Sequence, residues 1–516
     1  MTATTGRFDF AAPLPTRDQL GRVHLIAIGG AGMSAVAELL VRSGIAVSGS
    51  DAKDSPALRA LAAQGAVVHV GHDPAYLAGA DTVVVSSAIR EDNPELAAAR
   101  SRGLRVLHRA QALAILMRGR RTVAVAGANG KTTTTAMLTV ALRQSGADPG
   151  FAIGGQPVQL SSNAAVGGGD IFVAEADESD GSFLVYGPEV GVVTNVQPDH
   201  LDFYRTFTAV QGAYDRFAQS VSAGGLVVAC ADDAGSARLA QAARRRGQRV
   251  LTYGVGSDSD VRLGETASHG LRTTTTLSDQ GRSHVLRLEV PGRHSVLDAA
   301  AAYIAATHGL GVDADAVVTG LASFAGTRRR FEPVGEARGV RIVDDYAHNP
   351  GKVAALVETA RGLAGDGRLV VAFQPHLYSR TRDFAGEFAA ALSGADVVVV
   401  TDVYAAREEP LPGVTGSLIA DLVAGASAAA RPSAGPSARP SARPEVHHVP
   451  DVARLATMLS ALVRAGDLVV TVGAGDITGV GPQLLRLLRA APSTTFPHGD
   501  GDGDGGSDST SEEELT

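Results

Sequence analysis

Short apolar runs rich in β-branched residues recur along the chain, each closing on glycine, serine or an acid. They run from His24 to Ile28, Ala46 to Gly49, Thr82 to Val85, up to Ala126, Ile171 to Ala174, Val190 to Thr194 and Leu226 to Ala229. The series resumes at Val340 to Val343, Leu369 to Phe373, Val397 to Thr401 and Leu468 to Val472. Strands covered on both faces read as continuous apolar runs, because helices pack above and below a parallel sheet. Helical stretches such as Ser34 to Arg42 and Ala136 to Arg143 lie between them. Alternation of this kind predicts an α/β protein with doubly wound sheets. Three such domains are expected: residues 1–118, Rossmann-like; 119–326, of the phosphate-loop type; and 327–490, again Rossmann-like.

Composition narrows the setting. A chain of 516 residues has length for several cores. Its single cysteine, Cys230, closes an apolar strand and reads as a buried thiol, so no disulfide forms within the chain, as suits a reducing cytosol. No charged-then-apolar leader opens the sequence, and no run approaches the ~18 apolar residues of a membrane span. A cytoplasmic protein without a membrane partner is expected. The net charge of −8 is concentrated: seven acids and no bases lie between Gly499 and Thr516, leaving 46 positive against 47 negative charges elsewhere. A near-neutral body gives no electrostatic case for nucleic acid. Residues 491–516 read as a disordered acidic tail, and the Pro-Ser-Ala-rich residues 425–445 as a flexible insertion.

The densest chemistry lies at Gly127-Ala128-Asn129-Gly130-Lys131-Thr132-Thr133, between a strand and a helix. Glycines let backbone N–H groups close around phosphate oxygens, and the helix N-terminus adds partial positive charge. Lys131 would reach the β- and γ-phosphates and Thr132 would ligate Mg²⁺. The chain has only three lysines, Lys53, Lys131 and Lys352, among many arginines, so a compact ammonium is needed at this point. A second glycine turn, Gly29-Gly30-Ala31-Gly32, follows the first strand, with Asp51 some twenty residues on. Taken alone that turn also fits a nicotinamide dehydrogenase, but that reading leaves Lys131 idle. Two phosphate sites suit a protein that brings a triphosphate to a diphosphate-bearing substrate.

Carboxylates follow. Glu175-Ala176-Asp177-Glu178-Ser179-Asp180 leaves a strand beside the phosphate loop, and Glu175 at its terminus is the expected metal ligand. Asp199-His200 reaches the same mouth, with His200 suited to a second ion or a water-mediated contact. In the third unit Arg328-Arg329-Arg330 offers an arginine to the transferring phosphate. Asp344-Asp345-Tyr346-Ala347-His348 and Gln374-Pro375-His376 with Ser379-Arg380 gather acid, tyrosine, histidine and arginine at neighbouring strand ends.

These stretches resemble the Mur ligase family, in family order over roughly residues 20 to 490. Gly29 to Ser34, Val85 to Ile89, Gly127 to Thr134, Glu175 to Asp180, Asp199 to Asp202, Gly292 to His294, Arg329 to Phe331, Asp344 to His348, Phe373 to Thr381 and Gly473 to Asp476 carry the resemblance. Phe373-Gln374-Pro375-His376 points to its alanine-adding branch. The resemblance implies that ATP phosphorylates the carboxylate of UDP-N-acetylmuramate and that L-alanine attacks the acyl phosphate. It implies that Gly30, Gly32, Met33, Asp51, Ser86 and Ser87 hold the nucleotide-sugar and Gly127 to Thr133 the ATP phosphates. Asp345 would reach the ribose, while Tyr346, His348, His376 and Arg380 surround the amino acid. Lys131, Glu175, His200 and Arg329 would be catalytic, with Thr132, Glu175 and His200 on Mg²⁺. A monomer or homodimer is expected. The family's Thr-His in the phosphate loop is Ala128-Asn129 here, its later asparagines are Ser295 and Asp298, its second histidine is Asn349, and Leu377 replaces a frequent arginine. A divergent paralogue or a silent nucleotide-binding regulator would fit those departures, yet a regulator would not need Glu175, His200 and Arg380.

Overall fold

The structure, a computed structural model, describes residues 8–10, 12–406, 408–425 and 443–490. The expected acidic tail and residues 426–442 of the expected insertion lie outside them. Gly425 itself ends a helix, Ser417–Gly425, and Glu445 opens a strand. Among the described residues no helix is long and apolar enough to cross a membrane.

Three sheets carry the chain. The first holds β1 (Val23–Ile26), β2 (Val47–Asp51), β3 (Val67–Val70), β4 (Thr82–Val85) and β5 (Arg105–His108) in the order β3-β2-β1-β4-β5, all parallel. Order reverses beside β1, and the glycine turn leaves β1 there for the helix Ala31–Arg42. Open α/β sheets bind ligands at such a switch point.

The central sheet has eleven strands. They are β6 (Arg121–Ala126), β7 (Gly150–Ala152), β8 (Ala164–Ala165), β9 (Ile171–Glu175), β10 (Val190–Val193), β11 (Leu226–Cys230), β12 (Arg249–Gly254), β13 (Val261–Leu263), β14 (Ala267–His269), β15 (Arg272–Asp279) and β16 (Arg282–Leu288). Its parallel heart runs β12-β11-β10-β6-β9-β7, and β6 and β10 are buried throughout except at Arg121. The helix Lys131–Gln144 packs against the helices Arg293–Ile304 and Ala314–Ala322, which explains why it buries nearly all round. Its threonines turn inward by bonding their own backbone: Thr135 Oγ1 donates to Lys131 O at 2.7 Å and Thr139 Oγ1 to Thr135 O at 2.8 Å. The antiparallel extension β13 to β16 was absent from the expectation of purely doubly wound sheets.

The third sheet orders β17 (Glu332–Ala337), β18 (Val340–Asp345), β19 (Leu369–Phe373), β20 (Val397–Val400), β21 (Glu445–His448) and β22 (Leu468–Val472) as β17-β18-β22-β19-β20-β21. Only β17 is antiparallel, and it is an edge strand with a bulge at Pro333 and Gly335. The apolar clusters on its two faces contain only residues of this unit. The first and central units differ: Leu40 and Leu113 of the first share one cluster with Ala152, Ala164, Phe172 and Ala174 of the central sheet.

Candidate active site

The phosphate loop is built by backbone constraint. Gly127 has φ 140°, and a Cβ there would stand 1.9 Å from Thr194 Oγ1, so only glycine fits. Gly130, in the left-handed region at φ 84°, then turns the chain into the helix that Lys131 opens. Ala128 is buried, and Asn129 is tied down through its own N–H to Asn195 Oδ1 at 2.9 Å and through Nδ2 to Gln197 Oε1 at 3.0 Å. Thr133 stays half-buried on the next position.

Lys131 Nζ donates to Gly127 O at 2.5 Å and pairs with Glu178 Oε1 at 2.9 Å. Burial works to lower its pKa, but Glu178, Asp177 and Glu175 outweigh burial and hold the ammonium charged. Thr132 Oγ1 donates to Glu175 Oε1 at 3.0 Å, and Glu175 Oε2 accepts from Gly154 N at 2.7 Å. A Cβ on Gly154 would stand 2.7 Å from Glu175 Oε2, and one on Gly155 would stand 3.1 Å from Thr132 Cγ2. The paired oxygens of Thr132 and Glu175, with that glycine-lined space, fit a hard ion such as Mg²⁺, which takes oxygen ligands and completes its shell from phosphate and water. Among the described residues no group of three or more His, Cys, Asp or Glu side chains is arranged to hold a metal ion by itself. His200, left-handed at φ 53°, faces Glu178 Oε1 at 3.6 Å.

The acidic loop after β9 has two sides. Glu175 and Glu178 turn to the phosphate loop, whereas Asp177 and Asp180 turn to the first unit. Asp177 Oδ2 accepts from Arg109 Nη2 at 2.6 Å. Asp180 Oδ2 lies 3.2 Å from His108 Nε2 and accepts from Ser87 Oγ. His108 Nδ1 accepts from Ala110 N at 3.3 Å, so its proton sits on Nε2, directed at Ser87 and Asp180. These partners hold the Asp180 carboxyl far below the ordinary carboxylate range despite burial.

In the first unit Gly30 caps the helix Ala31–Arg42, Gly32 and Met33 lie in its first turn, and Met33 is buried. Asp51 ends β2 and accepts from Gly29 N at 2.9 Å, so it braces the turn from within. Ser86 and Ser87 follow β4, with Ser87 in the seam just described.

The third unit meets this mouth from the side. Arg329 departs from expectation: Nη2 donates to Gly473 O at 2.8 Å and Gly475 O at 3.3 Å, so its guanidinium is anchored within its own unit. Arg330 instead acts electrostatically on Asp298 of the central unit as well as on Asp345, His348 and Lys352 of its own. Both guanidiniums lie over Tyr346, at 4.8 and 5.2 Å. Asp345 accepts from Phe331 N at 2.8 Å and Ala347 N at 2.7 Å. His348 lies 5.2 Å from Tyr346 and 5.9 Å from His376, ring to ring, and burial together with Lys352 and Arg380 depresses its pKa well below the usual. Asn349 caps the helix Pro350–Ala364 and donates to Asp199 Oδ2 at 3.1 Å across the units. Lys352 was not assigned a site role from sequence; burial, Lys131 and Arg330 push its ammonium down to about 8 at this mouth. Its signal was that third lysine in an arginine-rich chain. The seam residues His108 and Arg109 gave none.

Three domain descriptions of one family match: Mur ligase family, catalytic domain, over residues 22–121; Mur ligase middle domain, over 125–306; and Mur ligase, glutamate ligase domain, over 329–475. The chain is 56% identical over 473 residues to a UDP-N-acetylmuramate–L-alanine ligase of Kineococcus radiotolerans, covering 91% of this chain and 97% of that one. It is 50% identical to the enzyme of that name from Renibacterium salmoninarum, over 93% of this chain and 99% of that one. Among solved structures, the UDP-N-acetylmuramate–alanine ligase of Thermotoga maritima aligns with a TM-score of 0.74 at 30% identity, covering 91% of this chain and 99% of that one.

Proposed function

Because the chain belongs to the Mur ligase family, we infer that it is an ATP-dependent ligase joining L-alanine to the carboxylate of UDP-N-acetylmuramate in peptidoglycan precursor synthesis. One observation carries the reading at the level of atoms. The acidic loop joins a phosphate loop through Glu175 and Glu178 to the glycine-turn unit through Asp177 and Asp180. A triphosphate and a nucleotide-sugar held by those two units meet at that seam.

The chemistry needs such a meeting. A carboxylate resists amines because oxide is a poor leaving group. Its oxygen therefore attacks the γ-phosphorus of ATP, the bond to the β–γ bridging oxygen breaks, and ADP leaves. The amine of L-alanine then attacks the acyl carbon, the C–O bond to phosphate breaks, and loss of one proton gives the amide with inorganic phosphate. In this reading Lys131 exchanges Glu178 for the terminal phosphates and offsets the charge spread over the transferring group. Thr132 and Glu175 would hold Mg²⁺, with His200 nearby through Glu178, and the ion would neutralise phosphate oxygens. Arg330, rather than Arg329, is the arginine we assign to the transferring phosphate. Asp345 serves the ribose, while Tyr346, His348, His376 and Arg380 form the amino-acid side of the site. The partners are the two small molecules, the location is the cytoplasm where ATP is made, and a monomer or homodimer suffices.

Phosphate release from a mixture of ATP, UDP-N-acetylmuramate and L-alanine tests the reading. Release that requires all three supports it. Release without the amino acid, or ATP binding with no release, overturns it.

A further inference from the structure

Arg109 is charged and lies in the seam between the first two units, and the reaction as written leaves it unassigned. It opens the helix Arg109–Met117, immediately after the His108 cap. One edge of its guanidinium, Nη2, meets Asp177 at 2.6 Å. The other edge lies against the glycine turn: a Cβ on Gly32 would stand 2.8 Å from Nη1. Gly32 belongs to the first turn of the helix Ala31–Arg42, where backbone N–H groups lack helical partners and favour an anion. The side chain is 24% exposed, so a ligand at the turn can reach it.

Charge gives the second reason. Glu175, Asp177, Glu178 and Asp180 all lie on the loop at this seam, and Lys131 is committed to Glu178. A diphosphate brought to the turn meets a field that repels it unless a cation stands between. Arg109 stands there, and a planar fork binds phosphate oxygens in pairs as an ammonium does not.

Resting on the nucleotide-sugar reading of the first unit, we propose that Arg109 is a substrate-binding residue for the diphosphate of that nucleotide-sugar, held in place by Asp177. Asp177 lies two residues beyond Glu175, so the same loop aligns the diphosphate on one side and the phosphate loop on the other.

The test is calorimetric titration of the full chain with UDP, with uridine and with ATP, in wild type, Arg109→Lys and Arg109→Met, with melting curves alongside. Loss of a charge-assisted contact weakens UDP binding by about tenfold or more in Arg109→Met. Arg109→Lys falls between, uridine binding changes much less than UDP binding, ATP binding holds, and the KM for UDP-N-acetylmuramate rises with the UDP dissociation constant. UDP binding equal to wild type in folded Arg109→Met overturns the assignment. So does an equal loss for uridine and UDP, which marks a merely structural arginine. If Arg109→Met does not fold, wild-type UDP affinity in Arg109→Lys overturns it. A wild-type protein that binds no UDP removes the nucleotide-sugar reading itself, and Arg109 with it.

Discussion

Asp298 accepts from Thr134 Oγ1 at 3.0 Å inside the helix that the phosphate loop opens, and a Cβ on Gly130 would stand 2.4 Å from its Oδ1. Burial pushes its carboxyl up to about 7, against the lowering effects of Thr134 and Arg330. Since the folded pKa lies above the unfolded value of 3.8, folding favours the protonated acid. Stability from this group is full below 3.8 and is lost as pH rises from there to about 7. Asp298→Asn keeps the shape without the charge, so its melting temperature should match wild type near the acid end, exceed it increasingly up to about pH 7 and keep a constant lead above that. Parallel melting curves across that range would exclude Asp298 as the cause. At Lys131 the prediction is kinetic: Lys131→Ala should lower kcat by about a thousandfold or more, because it removes the ammonium that the phosphate loop itself presents to the terminal phosphates. UDP binding in the same variant, measured by titration, should be unchanged. Arg380→Ala should chiefly raise the KM for L-alanine, by about tenfold if one charge-assisted contact to its carboxylate is lost. An unaltered KM would move the amino-acid carboxylate elsewhere.

Among the elements, the phosphate loop is the least tolerant. Gly127→Ala adds a Cβ where Thr194 Oγ1 stands 1.9 Å away, in a backbone conformation alanine resists. The variant should lose measurable ATP affinity by titration while the first unit still binds UDP. The inner parallel strands were legible because both of their faces are covered, so Val123, Val192, Val228 and Val371 all fall in unbroken apolar runs, whereas the partly exposed edge strands β3, β17 and β21 carry no such run. The hairpin β15–β16 was not. Its buried positions alternate, but Thr273 and Thr275 occupy two of them, and threonine does not declare which face it takes. Its one local sign was Gln280-Gly281, both at positive φ (48° and 81°), the signature of a tight hairpin turn. Within the site, Glu175 and Lys131 could be read because a strand end and a glycine loop fix where they point. Three consecutive arginines could not be told apart, since their directions depend on Arg329 adopting φ 59°. Nor could the split of the acidic loop be read, because Asp177 and Asp180 differ from Glu175 and Glu178 only in which neighbour they meet.

At the scale of the whole molecule the three units are joined unequally. The third reaches the central unit through polar contacts, Asn349 to Asp199 at 3.1 Å and Arg328 N to Gln156 O at 2.8 Å, and its apolar clusters are its own. Such a unit can change its angle to the rest at little cost. The first two are fused by a common cluster, in which Phe172 and Ala174 of β9 pack with residues from the first unit's helices. A chain cut before residue 119 and expressed from there should therefore aggregate, with its freshly bared patch binding a dye such as ANS. Residues 327–490 made alone should instead give a soluble, cooperatively melting fragment. The same fusion bears on how inhibitors are sought: a compound wedged between the first two units would have to melt a core, whereas one that props the third open need only break a few hydrogen bonds.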